Sequence, residues 1–356
     1  MRYIPRYCLT EHAVLAKPIL GLRGEVLLES GVKMTYPYIR RLERLGINGA
    51  YVEDPLSEGL EVVSAISDEL RAQTVRLISS IYTAPAKKHS GARMNALRIM
   101  KIAEQIVDEI LARKDSVVNL IDIKTYDAYT FFHCVNVAVL CVVIGLGTDL
   151  PRYELVDLAY SSLMHDIGKV FIENAIINKP GKLTDDEYAT IKTHSREGYR
   201  YIKDKYLTPE IVARGVLDHH ERVDGRGYPD GKRGKEISLF GRIIGVADVY
   251  DALISDRPYR KGLFPVEAVE YIQGGSGSNF DFDVVSMFSR KVAPFPTGTC
   301  VLLSDGTSAI VVENMEGFPL RPLLRVFKNE EQNVTPYELD LSKGSFDVTI
   351  VATLKM

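Results

Sequence analysis

Hydrophobic positions recur along the chain at two periods, and the change of period divides it. From about residue 57 to 113, Val62, Ile66, Leu70 and Val75, then Ile99, Ile102, Ile106 and Ile110, return every three to four residues. That is the spacing of helices with one buried face. Thr83-Ala84-Pro85 interrupts the run, so two long amphipathic helices are predicted, joined by a loop that includes His89-Ser90-Gly91. The helical pattern continues through 115–290, with helices expected over 117–123, 128–146, 153–165, 185–203, 209–220, 239–254 and 265–272. From Pro294 the period falls to two. Alternating stretches at 298–303, 309–312 and 323–327 surround Gly306 and Gly317, and 346–354 supplies another strand, which predicts a small β-barrel-like module. Residues 1–56 mix both patterns: short strands at 13–20 and 25–28, then a helix from about Pro37 to Leu45 capped by Thr35 and ended by Gly46, then a strand at 47–52. The expected organisation is mainly α: a small N-terminal α+β module (1–56), a helical arm (57–114), a helical domain (115–290) and a small C-terminal β-rich module (291–356). Such an arm packs either against a second copy of the chain, giving a homodimer, or onto the domain that follows.

Composition narrows the class of protein. Hydrophobic residues make up 46% and charged residues 26%, with a formal net charge of −3, so the chain lacks the basic excess of proteins that bind polymeric nucleic acid or membrane surfaces. Cys8, Cys134, Cys141 and Cys300 form no C-x-x-C, which argues against a thiolate zinc site or a disulfide framework and fits a reducing compartment. The most apolar run, 135–146, falls short of the roughly 20 residues that span a bilayer and contains Asn136. Met1-Arg2-Tyr3-Ile4-Pro5-Arg6 leads into no long apolar segment, so no signal peptide is expected. A soluble, cytoplasmic protein is the expectation.

The chemistry concentrates in the helical domain. Of seven histidines, five lie there, at His133, His165, His194, His219 and His220, each in or at the end of a predicted helix and mostly among apolar residues. Asp166 follows His165 directly, and Asp248 sits in the apolar run Ile243-Ile244-Gly245-Val246-Ala247. A single histidine on a helix is ordinarily a satisfied core or surface residue, and Asp248 alone could cap a turn or pair with Arg242. Together these residues are harder to dismiss, because several buried imidazoles and two carboxylates without a cation leave costly unsatisfied groups. Imidazole and carboxylate donors suit iron, manganese or zinc. After His219-His220 comes a stretch rich in Gly, Asp and Pro that neither helix nor strand tolerates, which suggests a loop at a pocket.

His165-Asp166 with Gly168-Lys169 resembles the signature of the HD superfamily of metal-dependent phosphohydrolases. His219-His220-Glu221 followed by Asp224-Gly225-Arg226-Gly227-Tyr228-Pro229 is similar to the HD-GYP subfamily, and the likeness continues through Asp248-Val249-Tyr250-Asp251-Ala252-Leu253 and Arg257-Pro258-Tyr259-Arg260. It covers about residues 115–275. It implies a helical HD-type domain that hydrolyses cyclic di-GMP to pGpG, in some members onward to GMP, with two divalent metal ions, iron or manganese. One ion would take His133, His165, Asp166 and Asp248. The other would share Asp166 and take His194, His219 and His220. A bridging hydroxide would attack phosphorus. Lys169 would reach a non-bridging oxygen or assist the leaving group, Arg257 and Arg260 would hold phosphates, and Tyr228 would contact a guanine or phosphate. Two positions depart from the family pattern. Tyr129 stands where some relatives carry a glutamate that holds a third ion, and Ser195 replaces the proline after His194. Other readings are a receptor that binds cyclic di-GMP without cutting it, an enzyme for another cyclic dinucleotide, and a scaffold that docks a diguanylate cyclase protein.

Overall fold

The computed structural model describes residues 1–21, 24–45, 47, 49–83, 91–113, 129–179, 181–206, 208–255, 262–315, 317–329, 332–343 and 346–354. In β1 (Arg2–Pro5), Arg2 and Ile4 turn inward while Tyr3 and Pro5 are less buried, an alternation too short to stand out in the sequence. It is followed by β2 (Val14–Leu15), β3 (Ile19–Leu20), β4 (Val26–Leu28), α1 (Tyr36–Arg44) and β5 (Gly49–Glu53). Thr35 caps α1 as expected, its hydroxyl accepting from the Tyr38 amide. The antiparallel order β1-β5-β2 puts Leu15, Val52 and Ile4 into a core with Leu42 of α1 and Met34. Gly46, expected to end α1, lies outside the described residues.

The arm forms α2 (Asp68–Tyr82) and α3 (Ala92–Leu111). Ser67 caps α2, and its hydroxyl also donates to Glu109 of α3 at 2.8 Å. Both helices pack onto the following domain: Leu70, Val75 and Ile78 of α2 and Ile99, Ile102 and Ile106 of α3 join one apolar core with the helices beyond. Those are α4 (Tyr129–Leu146), α5 (Arg152–Met164), α6 (Asn174–Ile177), α7 (Asp185–Tyr201), α8 (Glu210–Asp218), α9 (Leu239–Ile254), α10 (Pro265–Gly274) and α11 (Phe282–Lys291). Every residue from Phe132 to Val143 of α4 is buried, which makes it the central helix. Among the described residues no helix is long and apolar enough to cross a membrane. The sequence pattern marks no helix at α11, whose inward face is only Val284, Val285 and Phe288; Asp281 caps it. The helix expected over 117–123 and the loop at His89 and Ser90 lie outside the described residues.

The C-terminal module is an antiparallel sheet of β6 (Cys300–Leu303), β7 (Ser308–Glu313), β8 (Leu323–Asn329), β9 (Gln332–Asp340) and β10 (Ile350–Thr353), in the order β10-β6-β7-β8-β9. Gly306, at φ 85°, turns β6 into β7 in a conformation open to glycine. β9 is exposed along most of its length, so its sequence carries little alternation to read. The C-terminal module touches both segments ahead of the helical domain: Arg2 Nη1 of the N-terminal module donates to Cys300 Sγ at 3.4 Å, while Leu60 at the start of the arm packs with Cys300, Ile310 and Phe327, and Arg325 Nη1 donates to the Glu58 carbonyl at 2.6 Å.

Candidate metal centre

Five segments of the helical domain converge. α4 carries His133, and α5 ends at His165, after which the chain tightens into a 3-10 turn with Asp166 at its start. α7 carries His194, α8 stops at Asp218 so that His219 and His220 follow it, and α9 carries Asp248. Their donor atoms fall into two sets, each within 4.8 Å: Asp166, His194, His219 and His220, and beside it His133, His165 and Asp248. Asp166 spans both, with Oδ2 3.5 Å from His165 Nε2 and Oδ1 3.4 Å from His194 Nε2. Asp248 also reaches across, with Oδ1 3.1 Å from His133 Nε2 and Oδ2 3.8 Å from His220 Nδ1. Arg242 pairs with Asp281 at 2.7 Å rather than with Asp248.

Backbone geometry orients three of the rings in one way. Nδ1 of His165, His194 and His219 each lies 2.7 Å from the carbonyl three residues earlier, of Ser162, Ile191 and Val216. A carbonyl only accepts, so Nδ1 holds the hydrogen and Nε2 presents a lone pair. Nε2 of His194 and Nε2 of His219 then face each other at 3.2 Å, lone pair to lone pair. His165 Nε2 is buried without a hydrogen-bond partner. Such an arrangement is unfavourable alone and favourable around a cation, so these residues fit a metal site of nitrogen and carboxylate oxygen donors. His133 is set differently: its Nδ1 lies 2.8 Å from Asp251 Oδ2, on α9 one turn beyond Asp248. Asp251 belongs to the family-like run, but nothing in sequence shows which ring it would hold. Its i,i+3 spacing from Asp248 within an apolar helix was the available signal.

The electrostatics match. Burial, then His220 and the other rings, holds His219 well below the usual histidine range; burial also lowers His194 and takes His220 down to about 3. Burial opposes ionisation of Asp166, yet Lys169 and His165 keep its pKa well below the ordinary carboxylate value. Burial likewise opposes charge on His133, but its bonds to Asp248 and Asp251 raise it to about 9. For the metal-free protein the sign follows. A ring whose folded pKa is lowered binds its proton in the unfolded chain first, so His194, His219 and His220 cost stability as pH falls below about 6.5. His133 works the other way, losing its contribution between about 6.5 and 9. Chelator-treated protein is therefore expected to melt at lower temperature at pH 5 than at pH 6.5; a flat profile over that window would contradict this electrostatic picture.

The loop after His220 is held by carboxylates that sequence alone did not single out. Glu221 accepts from the amides of Asp230 (2.7 Å), Gly231 (3.1 Å) and Lys232 (3.1 Å). Buried Asp218 accepts from Lys232 Nζ at 2.5 Å and the Ser238 amide at 3.0 Å. Gly225 takes φ 79°, and a Cβ at Gly227 would strike the Arg222 amide and Glu221, so both glycines serve the bend. The loop lays Tyr228 against the cluster, its ring 4.6 Å from that of His220 and 6.3 Å from that of His194. Half-buried Lys169 places Nζ 2.5 Å from Asp166 Oδ2. Arg257 and Arg260 lie outside the described residues, as does the side chain of Tyr129.

A family profile described as HD domain matches residues 99–284. The chain belongs to the HD domain family. Its Gly227-Tyr228-Pro229 run falls in the HD-GYP subfamily, as the resemblance implied. A second profile, a KOW domain associated with HD domain, matches 300–354, the five-stranded module. The HD chain is 35% identical over 274 residues to "Cyclic di-GMP phosphodiesterase PA4108" of Pseudomonas aeruginosa, covering 76% of this chain and 66% of that protein. It is 40% identical over 139 residues to "Cyclic di-GMP phosphodiesterase response regulator RpfG" of Xanthomonas campestris, covering 38% and 36%. It is 39% identical over 161 residues to "3'3'-cGAMP-specific phosphodiesterase 1" of Vibrio cholerae, covering 44% and 36%. The chain thus spans under two thirds of each of these relatives. Among solved structures it resembles Bd1817, an HDG"Y"P protein from Bdellovibrio bacteriovorus, with TM-score 0.50, 15% identity and coverage of 80% and 97%, a likeness of fold.

Proposed function

We propose that this HD domain is a cyclic di-GMP phosphodiesterase that uses two divalent ions, iron or manganese. The observation that carries the reading is the facing pair of lone-pair nitrogens on His194 and His219, beside an Asp166 carboxylate whose oxygens turn to different histidines. The first ion is assigned to His133, His165, Asp166 and Asp248, the second to Asp166, His194, His219 and His220. Bound there, the ions supply an activated water and neutralise phosphate charge. Asp166 and Asp248 stay ionised to hold the positive charge, and the Nδ1 bonds of His133, His165, His194 and His219 keep the Nε2 of those four rings aimed inward. Hydrolysis adds a water oxygen to phosphorus and breaks its bond to the sugar 3′ oxygen, which takes a proton, leaving linear pGpG; a second cut gives GMP. Lys169, held on Asp166, is placed to offer a hydrogen bond to a phosphate oxygen or the leaving oxygen. Tyr228 offers a ring face at the edge of the cluster for a guanine. Arg257 and Arg260, following α9, are assigned to phosphate contacts. The buried thiols Cys134, Cys141 and Cys300 support a reducing, cytoplasmic setting.

Full-length protein loaded with Mn²⁺ or, without air, Fe²⁺ is expected to convert cyclic di-GMP to pGpG. Chromatography of the products, with elemental analysis of the same sample, decides the matter. Metal-loaded protein that binds the dinucleotide without cutting it would be a receptor instead. A second substrate reading rests on the relative named for 3′3′-cGAMP, so that dinucleotide belongs in the same assay. In the active protein, Tyr228→Ala is expected to raise KM more than it lowers kcat, since a stacking contact forms already in the ground state. An unchanged KM would place the ring outside the substrate's reach.

A further inference from the structure

A buried line of hydrogen bonds leaves the metal centre and ends on a different part of the chain. His133 Nδ1 lies 2.8 Å from Asp251 Oδ2, and Asp251 Oδ1 accepts from Asn136 Nδ2 at 3.0 Å. Asn136 Oδ1 accepts in turn from Arg71 Nη1 at 2.8 Å. All four side chains are buried, Arg71 at 5% exposure included, and burial of a guanidinium is costly unless it is firmly bonded. Arg71 stands on α2, ahead of the residues matched as HD domain. We propose that Arg71 is a positioning residue for the His133 side of the metal centre, acting through Asn136 and Asp251.

The chemistry of each link fixes the next. A guanidinium has donors only, so it turns the Asn136 amide oxygen toward itself and leaves the NH₂ for Asp251. A carboxylate oxygen accepts, so Asp251 holds His133 with a hydrogen on Nδ1 and leaves Nε2, on the Asp248 side of the ring, as the atom that would bind a metal on giving up its own proton. His165, His194 and His219 hold the same Nδ1 hydrogen through carbonyls of their own helices, whereas His133 holds it through side chains on α2, α4 and α9. The same α2 holds the N-terminal module, since Arg76 Nη1 donates to the Gly24 carbonyl at 2.9 Å. Arg71 therefore ties the ligand on the central helix to the helix on which that module rests.

The inference rests on the metal-centre reading, and the test separates the two. Chelator-treated full-length protein is titrated with Mn²⁺ by calorimetry. Wild type is expected to take up two ions, and Arg71→Met to bind one of them about ten- to hundred-fold more weakly with the other unchanged. Asp251→Asn should show the same loss, and the double variant no more than either alone, as members of one line behave. Should Arg71→Met fail to fold, Arg71→Met with Asn136→Leu removes that donor and acceptor together, so that only Asp251 Oδ1 loses a partner, and should still show the loss. Wild-type affinity for both ions in either folded variant, or additive losses in the double variant, would overturn the role of Arg71. A wild-type chain that takes up no Mn²⁺ would overturn the metal centre, and Arg71's role with it.

Discussion

Asp166→Ala is expected to leave no measurable turnover of cyclic di-GMP and to strip both ions from the purified protein. The reason is geometric: its two oxygens face different histidines, so one truncation removes a donor from each proposed ion. An outer-sphere partner typically costs 10–100-fold in affinity or activity, and a shared inner donor should cost well beyond that range. Lys169 is stranded as well, since its half-buried ammonium lies 2.5 Å from the deleted carboxylate and its charge is sustained by that contact against burial. Asp166→Asn separates charge from shape: it keeps the volume, loses the negative charge and should also fail. Elemental analysis and product chromatography on the same preparations read both effects. Either variant turning over at the wild-type rate with its metals retained would end the two-ion proposal.

The parts of this site legible in sequence are those whose chemistry is local. His165-Asp166 and His219-His220 are adjacent pairs, and the apolar run that predicts a helix over 239–254 forms α9, Leu239–Ile254. Helix periodicity carried α3 and the part of α2 from Leu70 on, because each buries a long apolar face; Val62 and Ile66, read with α2, lie ahead of its start at Asp68, and α4 is an apolar run buried on every side. What stayed hidden depends on meeting at a distance. Arg71 and Asn136 are 65 positions apart, and His133 and Asp251 are 118 apart, so no spacing rule joins them. Asp218 and Glu221 sit beside the histidines yet serve the loop, and a carboxylate's letter does not say which amide it accepts from. Helix ends shift where a cap or ligand overrides propensity: the sequence pattern runs through His220, but α8 stops at Asp218, which accepts from the Ser238 amide. β9 and α11 were missed because one is largely exposed and the other presents only a short apolar face.

Gly168→Ala is expected to disable the centre without replacing any proposed ligand. The 3-10 turn after His165 passes so close to α7 that a Cβ at Gly168 would run into the carbonyl oxygen of His194, with the Gly198 amide nearby. Both are main-chain atoms inside a helix, so neither can swing aside as a flexible side chain would. Overpacking a core costs about 1–3 kcal/mol, and a clash with fixed backbone belongs at or above the top of that range. For a domain of this size that lowers the melting temperature by roughly 6–12 °C. Relief requires α7 and the turn to separate, and the one carries His194, whose Nε2 lies 3.2 Å from that of His219, while the other carries Asp166, so either movement opens the set. Metal at the set of Asp166, His194, His219 and His220 should therefore be lost in whatever fraction folds. Gly274→Ala, at the last residue of α10, is the control: an added Cβ there meets no atom within 4 Å and should change melting little. If Gly168→Ala melted with wild type and held both ions, the close seating of this turn on α7 would not be what places His194.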